Sequence, residues 1–311
     1  MPSRTRTIAS GNSTTTTTSP IDWDKWNETM ANKLLTQENR CERNLTNSFF
    51  GLEPTKCTCQ YPLQPWNRAV DDQKHQEKVE NAMAQQATLL KQARDDSSQD
   101  VDIVFYGSSL LEYWLGSSYG RFKKKEIECL EAFQQYFGGA KHHASLNGLV
   151  MAMSADTTNS LWHGIITRRT LPDWLNPKII WIVVGTNDMA HFMCSAESVH
   201  LATLQLIRDI RRMRPNAKIV LNSMLPAFDV SSLADNPANK VFAQINDLRK
   251  SYVATQPNLY YFDSSTVFLS RDQSNQINKT LYKEDFVHPS ALGYRVWGKA
   301  MADFAHELID T

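Results

Sequence analysis

This 311-residue chain predicts an α/β fold: a parallel sheet covered on both faces by helices. Three observations carry that prediction. From Val101 onward, strand-like and helix-like patterns alternate. The strand segments are continuously apolar rather than alternating, as strands buried on both faces must be. Small polar clusters follow several of these runs, and in such sheets active residues gather at the C-terminal ends of the strands.

The elements follow in chain order. Residues 1–20 are Ser/Thr/Gly-rich, with five threonines from Thr14 to Thr18, and read as a disordered tail. Residues 21–65 carry Trp23, Trp26, Phe49 and Phe50 among turn residues and cysteines. The segment is too short to build its own core, so its aromatics predict an arm laid on the main domain. Ala69–Arg94 is rich in Gln, Ala, Glu and Lys and predicts a polar helix. The organisation expected is a tail over 1–20, an extension over 21–98 and one catalytic-sized domain over 99–311.

Val101–Tyr106 is the first strong strand, and Arg121–Phe137 reads as an amphipathic helix with Phe122, Ile127, Leu130 and Phe133 on one face. His143–Met151 carries a weaker strand signal, broken by Asn147-Gly148. Asp156–Ile166 opens with Asp-Thr-Thr, a helix start. Lys178–Val184 is the most continuous apolar run and predicts a central strand. Ser198–Met213 is a Leu/Ile-rich helix with arginines near its end, where cations suit the dipole. Ala217–Asn222 is a strand, Pro237–Val253 a helix and Leu259–Phe262 a short strand. Pro289 opens the final helix, which runs to about Ile309.

Composition excludes little but directs attention. Basic and acidic residues balance at 33 each, so no charge argument favours nucleic acid. No run approaches the length of about 18 apolar residues that a membrane span needs, and the first residues lack the apolar stretch of a signal peptide. Cys41, Cys57 and Cys59 fall in the extension, where Cys41 pairs with Cys57 or Cys59 if the compartment is oxidising. Cys129 and Cys194 read equally as unpaired buried thiols. Sequons at Asn12, Asn27, Asn44 and Asn278 predict a glycoprotein, and with the cysteines they favour a secreted or lumenal location.

Three polar clusters carry the chemistry. Ser109, in Gly107-Ser108-Ser109-Leu110, ends the first strand; a serine there is a turn residue, a helix cap or a nucleophile. Asn187, in Gly185-Thr186-Asn187-Asp188, either forms an Asx turn or donates to a developing oxyanion. Asp285 and His288 either cap the following helix or supply a base with its orienting carboxylate. No phosphate loop and no dinucleotide fingerprint lies near the first strand, which weakens a nucleotide-binding reading. His142 and His143 are adjacent, a poor spacing for two metal ligands.

Taken together and in order, these blocks resemble the SGNH hydrolase superfamily, the GDSL esterases and lipases. Gly107-Ser108-Ser109-Leu110 corresponds to Gly-Asp-Ser-Leu, and Ala155-Asp156-Thr157 to the second block, Gly-Asp-Thr. Gly185-Thr186-Asn187-Asp188 and Asp285-Phe286-Val287-His288 match the third and last blocks intact. The resemblance spans about residues 100–311 and is closest to the group like platelet-activating-factor acetylhydrolase and small carbohydrate esterases. It implies a flavodoxin-like three-layer α/β/α sandwich with a five-stranded parallel sheet. It also implies a serine ester hydrolase working without metal or cofactor on a small-molecule ester. Ser109 would attack, His288 would serve as base then acid, and Asp285 would orient it. Ser109 and Ala155 through their N–H groups and Asn187 through its amide would hold the oxyanion. Tyr113, Trp114, Asp188 and His191 flank these blocks and are the expected substrate contacts, with core packing the alternative for Trp114 and a loop role for His191.

Two positions depart from the family pattern. Ser108 replaces an aspartate that does not attack. Ala155 replaces a glycine: the N–H survives, but the methyl strains the backbone if φ is positive and narrows the cleft. A lost oxyanion donor costs on the order of 3 kcal/mol. The expectation is an active esterase selective for small acyl groups such as acetyl. A weakened glycan-binding relative and an O-acetyltransferase are the alternatives.

Overall fold

The computed structural model describes residues 21–42, 57–68, 72–96, 100–227, 236–270 and 276–311. The 1–20 tail, Phe49, Phe50 and the sequons at Asn12 and Asn44 lie outside the described residues.

Helices α1 (Trp23–Lys33), α2 (Gln37–Arg40) and α3 (Gln73–Asp95) precede strand β1 (Ile103–Gly107). Then come α4 (Ser109–Glu112), α5 (Ile127–Phe137), β2 (Gly148–Ala152), α6 (Thr158–Ile166) and β3 (Ile179–Val183). The chain continues through α7 (Thr186–Phe192), α8 (Ala196–Met213), β4 (Lys218–Asn222), α9 (Pro237–Val253), β5 (Leu259–Phe262), α10 (Ser265–Phe268) and α11 (Ala291–Ile309). The five strands form one sheet in the order β2-β1-β3-β4-β5, parallel throughout, with β3 at its centre. This is the flavodoxin-like order, in which the switch of direction falls beside β1 and β3.

Strand periodicity builds two cores from one sheet. Ile103, Phe105, Ile179, Trp181 and Val220 point to one side, against Phe133 and Phe137 of α5 and Trp297 and Met301 of α11. Val104, Tyr106, Ile180, Ile182, Ile219 and Leu221 point to the other, against Leu161 of α6 and Leu206, Ile207 and Ile210 of α8. Side chains alternate across a strand, so only a run apolar at every position can serve both layers.

Four local expectations need correction. The helix expected from Arg121 starts at Ile127, because Arg121–Phe122 pairs with Ser117–Ser118 in a short hairpin. Its buried face is Cys129, Ala132, Phe133 and Phe137, while Phe122 and Ile127 are exposed. Asn147-Gly148 leads into β2 instead of breaking it: the Asp102 carboxylate accepts the Asn147 N–H at 2.9 Å, and Gly148, the strand's first residue, pairs with Ile103. Pro289 stands outside the last helix, whose N-cap is Ser290. Finally, Cys194 is not a free thiol.

Cys194 joins Cys59, and Cys41 joins Cys57. Cys129 remains a buried free cysteine. The Cys59–Cys194 bond therefore anchors the described residues around Cys59 covalently to the sandwich. Trp23 and Trp26 of α1 pack their rings on His200 of α8, at centroid distances of 5.4 and 5.3 Å. Leu89, Leu90 and Ala93 of α3 pack on the second core. No helix among the described residues is long and apolar enough to cross a membrane.

Candidate active site

Strand β1 ends at Gly107, where the chain passes too close to β3 for any side chain: a Cβ there would lie 2.4 Å from the Val183 carbonyl oxygen. Ser108 leaves the strand geometry, and Ser109 becomes the first residue of α4. Its N–H is therefore one of the orphan donors of a helix start. Its hydroxyl meets the C-terminal block. Ser109 Oγ lies 2.8 Å from His288 Nε2, and His288 Nδ1 lies 2.7 Å from Asp285 Oδ2.

The three-residue gap between Asp285 and His288 closes through a turn. Phe286 sits at φ +49°, and the other carboxylate oxygen accepts the Val287 and His288 N–H groups, each at 2.9 Å. Burial pushes the Asp285 carboxyl up, but the hydrogen bond and charge of His288 and these N–H donors bring it down to about 2. It is thus a carboxylate at neutral pH, and it holds a proton on Nδ1, leaving Nε2 to face the serine. The Tyr113 ring stacks on the imidazole, with centroids 4.8 Å apart and planes at 28°. Burial, with Glu126 nearby, pushes the Tyr113 phenol up to about 12, so it packs as a neutral ring.

The facing wall is the turn after β2. Asp156 N–H closes it on the Met153 carbonyl at 3.0 Å, and Ala155 occupies its third position at φ +62°. Ser154 is held on both sides of its peptide links. Its N–H donates to Glu112 Oε2 at 2.6 Å, and its carbonyl accepts from Arg68 Nη1 at 2.5 Å. Asn187 Nδ2 donates to the Asp156 carbonyl at 2.9 Å, which brings its amide beside Ala155 and leaves its second N–H unused among the described residues. Gly185 supplies the turn before Asn187 at φ +119°, where a Cβ would also press on Met224 Sδ at 2.9 Å.

Ser109, Tyr113, Ser154, Ala155, Asn187, His191 and His288 line one cleft of about 240 Å³. A larger cavity of about 490 Å³, lined by Asn239, Lys250, Tyr261 and Asp263, contains none of these residues. The candidate nucleophile, base and oxyanion donors all line the smaller one. An aligned hydroxyl, imidazole and carboxylate facing N–H groups that no acceptor among the described residues takes can pass a proton from oxygen to nitrogen while stabilising charge across the cleft.

His191 reaches the cleft, where burial and then Arg68 lower its pKa and keep it neutral. Two expected substrate contacts do not reach it. Trp114 is fully buried among Phe105, Phe133, Tyr294 and Trp297, because the turn after α4 carries it into the first core. Asp188 is 3% exposed and faces the backbone. Both its oxygens accept the Thr158 N–H, at 3.0 and 2.9 Å, which anchors the start of α6. Burial raises its pKa to about 6 against the pull of those bonds.

Sequence reasoning missed Glu112 and Arg68. Glu112 had a signal: it is the lone acid in Leu110-Leu111-Glu112-Tyr113-Trp114, and it is fully buried. Besides Ser154, it accepts the Gly120 N–H at 2.7 Å. Arg68 had none, since it lies in the extension and meets the site only through folding.

Comparison with known proteins gives the family and the fold. The profile of the GDSL-like Lipase/Acylhydrolase family matches residues 105–296, more than half of the chain. Platelet-activating factor acetylhydrolase IB subunit alpha1 of Rattus norvegicus is 24% identical over 201 residues, 64% of this chain and 73% of the relative. The subunit beta homolog of Drosophila melanogaster is 30% identical over 163 residues, 52% of this chain and 61% of the relative. Two solved structures share the fold. A candidate platelet activating factor from Streptococcus pneumonia has a TM-score of 0.54 at 17% identity, covering 74% of this chain and 93% of that one. A candidate acylhydrolase from Bacteroides fragilis has a TM-score of 0.51 at 18% identity, covering 71% and 97%.

Proposed function

Because the chain belongs to the GDSL-like lipase/acylhydrolase family of SGNH hydrolases, and so is a carboxylic ester hydrolase, we propose that it cleaves small acyl esters of lipids or carbohydrates, acetyl above all, through an acyl-serine on Ser109. The observation that carries the proposal is the continuous Ser109–His288–Asp285 alignment at 2.8 and 2.7 Å, beside the Ala155 turn.

The steps follow from the atoms. His288 Nε2 takes the Ser109 hydroxyl proton as Oγ bonds to the ester carbonyl carbon. The carbonyl electron pair moves onto oxygen, where the N–H groups of Ser109 and Ala155 and the Asn187 amide receive it. Asp285 holds the Nδ1–H tautomer and stabilises the imidazolium. Collapse of the intermediate breaks the ester C–O bond, and His288 returns the proton to the departing alcohol. Water, deprotonated by the same nitrogen, then releases the acid and restores the serine. A cleft of about 240 Å³, with the Ala155 methyl in its wall, suits a short acyl group.

Residues 21–98 are read as an extension of the same folded unit, and 99–311 as the hydrolase domain. The two disulfides fit an oxidising compartment, in keeping with a secreted or lumenal protein. Of the sequons in the described residues, Asn278 is half-buried and its Oδ1 accepts the Thr280 N–H, whereas the Asn27 amide oxygen is buried, so Asn278 is the better placed of the two for a glycan.

Fluorophosphonate labelling tests the nucleophile. Wild type should be labelled on Ser109 and should hydrolyse p-nitrophenyl acetate faster than the octanoate. Labelling or turnover unchanged in Ser109→Ala would refute the acyl-serine reading.

A further inference from the structure

Arg68 lies outside the family-matched residues 105–296, yet it touches the peptide that faces the reacting atoms. Its Nη1 donates to the Ser154 carbonyl at 2.5 Å. That carbonyl belongs to the same planar unit as the Ala155 N–H. The bond is trans, as are all peptide bonds among the described residues, so the two groups point in opposite directions. A cation fixed on the Ser154 oxygen therefore fixes the aim of the Ala155 N–H. It also draws electrons toward the carbonyl and strengthens the opposing N–H as a donor, the cooperative effect of hydrogen bonds in series.

The guanidinium is built into place. Its side chain is only 12% exposed, 3.8 Å from the fully buried Asp156 carboxylate. It lies over the Tyr119 ring, 5.3 Å from the centroid, with Nη2 3.4 Å from the hydroxyl. The backbone leading to it is pinned as well. Cys59 is joined to Cys194, and the Tyr61 and Gln64 carbonyls both accept from Asn159 Nδ2 at the start of α6. On the opposite side of Ser154, Glu112 takes the N–H, so two oppositely charged groups grip one residue.

We propose that Arg68 is a positioning residue of the esterase: it orients and polarises the Ser154–Ala155 peptide, which makes the N-terminal extension a working part of the active site. The inference rests on the reading of Ala155 N–H as an oxyanion donor. A charged donor placed on the carbonyl end of that peptide acts in the transition state, where the oxyanion carries full charge, and hardly at all on the neutral ester.

The test uses the full chain, oxidised, with p-nitrophenyl acetate. Arg68→Met keeps the length and bulk of the stem without the donors. Its kcat should fall on the order of tenfold to a hundredfold, below the loss of an oxyanion donor itself, with KM within about twofold. Arg68→Lys should recover part of the loss. In Arg68→Ala, added guanidinium in the millimolar range should raise kcat, which a merely structural role would not produce. Unfolding midpoints identify any variant that fails to fold, and the guanidinium response then decides the matter within a folded sample. An unchanged kcat in Arg68→Met, or a fall matched by rising KM with no response to guanidinium, would overturn the inference. Ser109→Ala is run alongside. If it retains turnover, the acyl-serine reading falls and takes this inference with it; if it is inactive while Arg68→Met is unimpaired, the inference alone falls.

Discussion

Replacing Ala155 by glycine measures what the family departure costs. Ala155 stands at φ +62°, the third position of a turn closed from Asp156 N–H to Met153 carbonyl at 3.0 Å. A left-handed conformation costs an L-residue about 1–2 kcal/mol, and glycine pays none of it. The substitution also frees the unfolded chain, which takes back about 0.4–1 kcal/mol. The difference leaves Ala155→Gly more stable than wild type by about 0–1.5 kcal/mol. The N–H remains, and Glu112 and Arg68 still hold Ser154, so kcat for an acetyl ester should stay within about threefold. The lost methyl widens the cleft, so the preference for acetate over butyrate and hexanoate should shrink. Urea unfolding at constant m-value gives the stability term, and kcat/KM across the acyl series gives the rest. A variant less stable by 1 kcal/mol or more, or a tenfold loss of acetate turnover, would refute the reasoning. Ala155→Val sets the opposite bound: a β-branched residue at this φ is a true outlier and should destabilise.

Asp285→Asn should lower kcat on the order of 10³–10⁴-fold with little change in KM, because an amide no longer enforces the Nδ1–H tautomer. Burial pushes the Asp285 carboxyl up, but His288 and the backbone donors outweigh it and set the value at about 2, against an ordinary 3.8. The stability from that depressed pKa is present above 3.8 and lost as pH falls through about 2, so Asp285 itself should not titrate on the acid limb of the wild-type rate profile; an Asp285 carboxyl carbon resonance that titrates above about pH 4 would contradict this. Glu112→Gln puts an amide N–H where the Ser154 and Gly120 N–H groups need acceptors; stability should fall by about 1–3 kcal/mol, and kcat should fall with it, while a neutral result by denaturant unfolding would remove Glu112 from the site. His200 is fully buried among Trp23, Trp26 and Tyr252, and burial, then Arg249, lower its pKa to about 3 from 6.5. Its neutral form is shared by both states above 6.5, and as pH falls toward 3 only the unfolded chain gains the proton. The stability of His200→Phe relative to wild type should therefore rise by about 1.4 kcal/mol per pH unit between roughly pH 6 and 4, and parallel curves would count against the buried neutral histidine.

What could be read in advance was whatever a residue's own neighbours decide. Strand β3 announced itself because Ile179–Val183 is apolar at every position, which only a strand covered on both faces requires. Pro237–Val253 and Leu259–Phe262 carry their own boundaries, the first through a proline in its first turn. The pairing of Asp285 with His288 was legible because three residues and a turn suffice to close it. Facing is another matter. Trp114 and Asp188 follow reactive residues by five and one positions, yet the turn after α4 sends one into the core, and the Thr158 N–H claims the other. The departure at Ala155 was visible as a letter, but its consequence depends on φ, and φ depends on what grips the turn. Glu112 does so from five residues beyond the strand and Arg68 from a disulfide-anchored arm, neither within the four family blocks. Strained backbone persists only where its surroundings over-determine it. An alanine can stand where the family keeps a glycine because Ser154 is held by a buried carboxylate on one side and a guanidinium on the other. It follows that the cost of Ala155 and the contribution of Arg68 are coupled: Ala155→Gly should lessen the loss caused by Arg68→Met, since a glycine turn needs less holding, and a double-mutant cycle in kcat that proves additive would show the two acting independently.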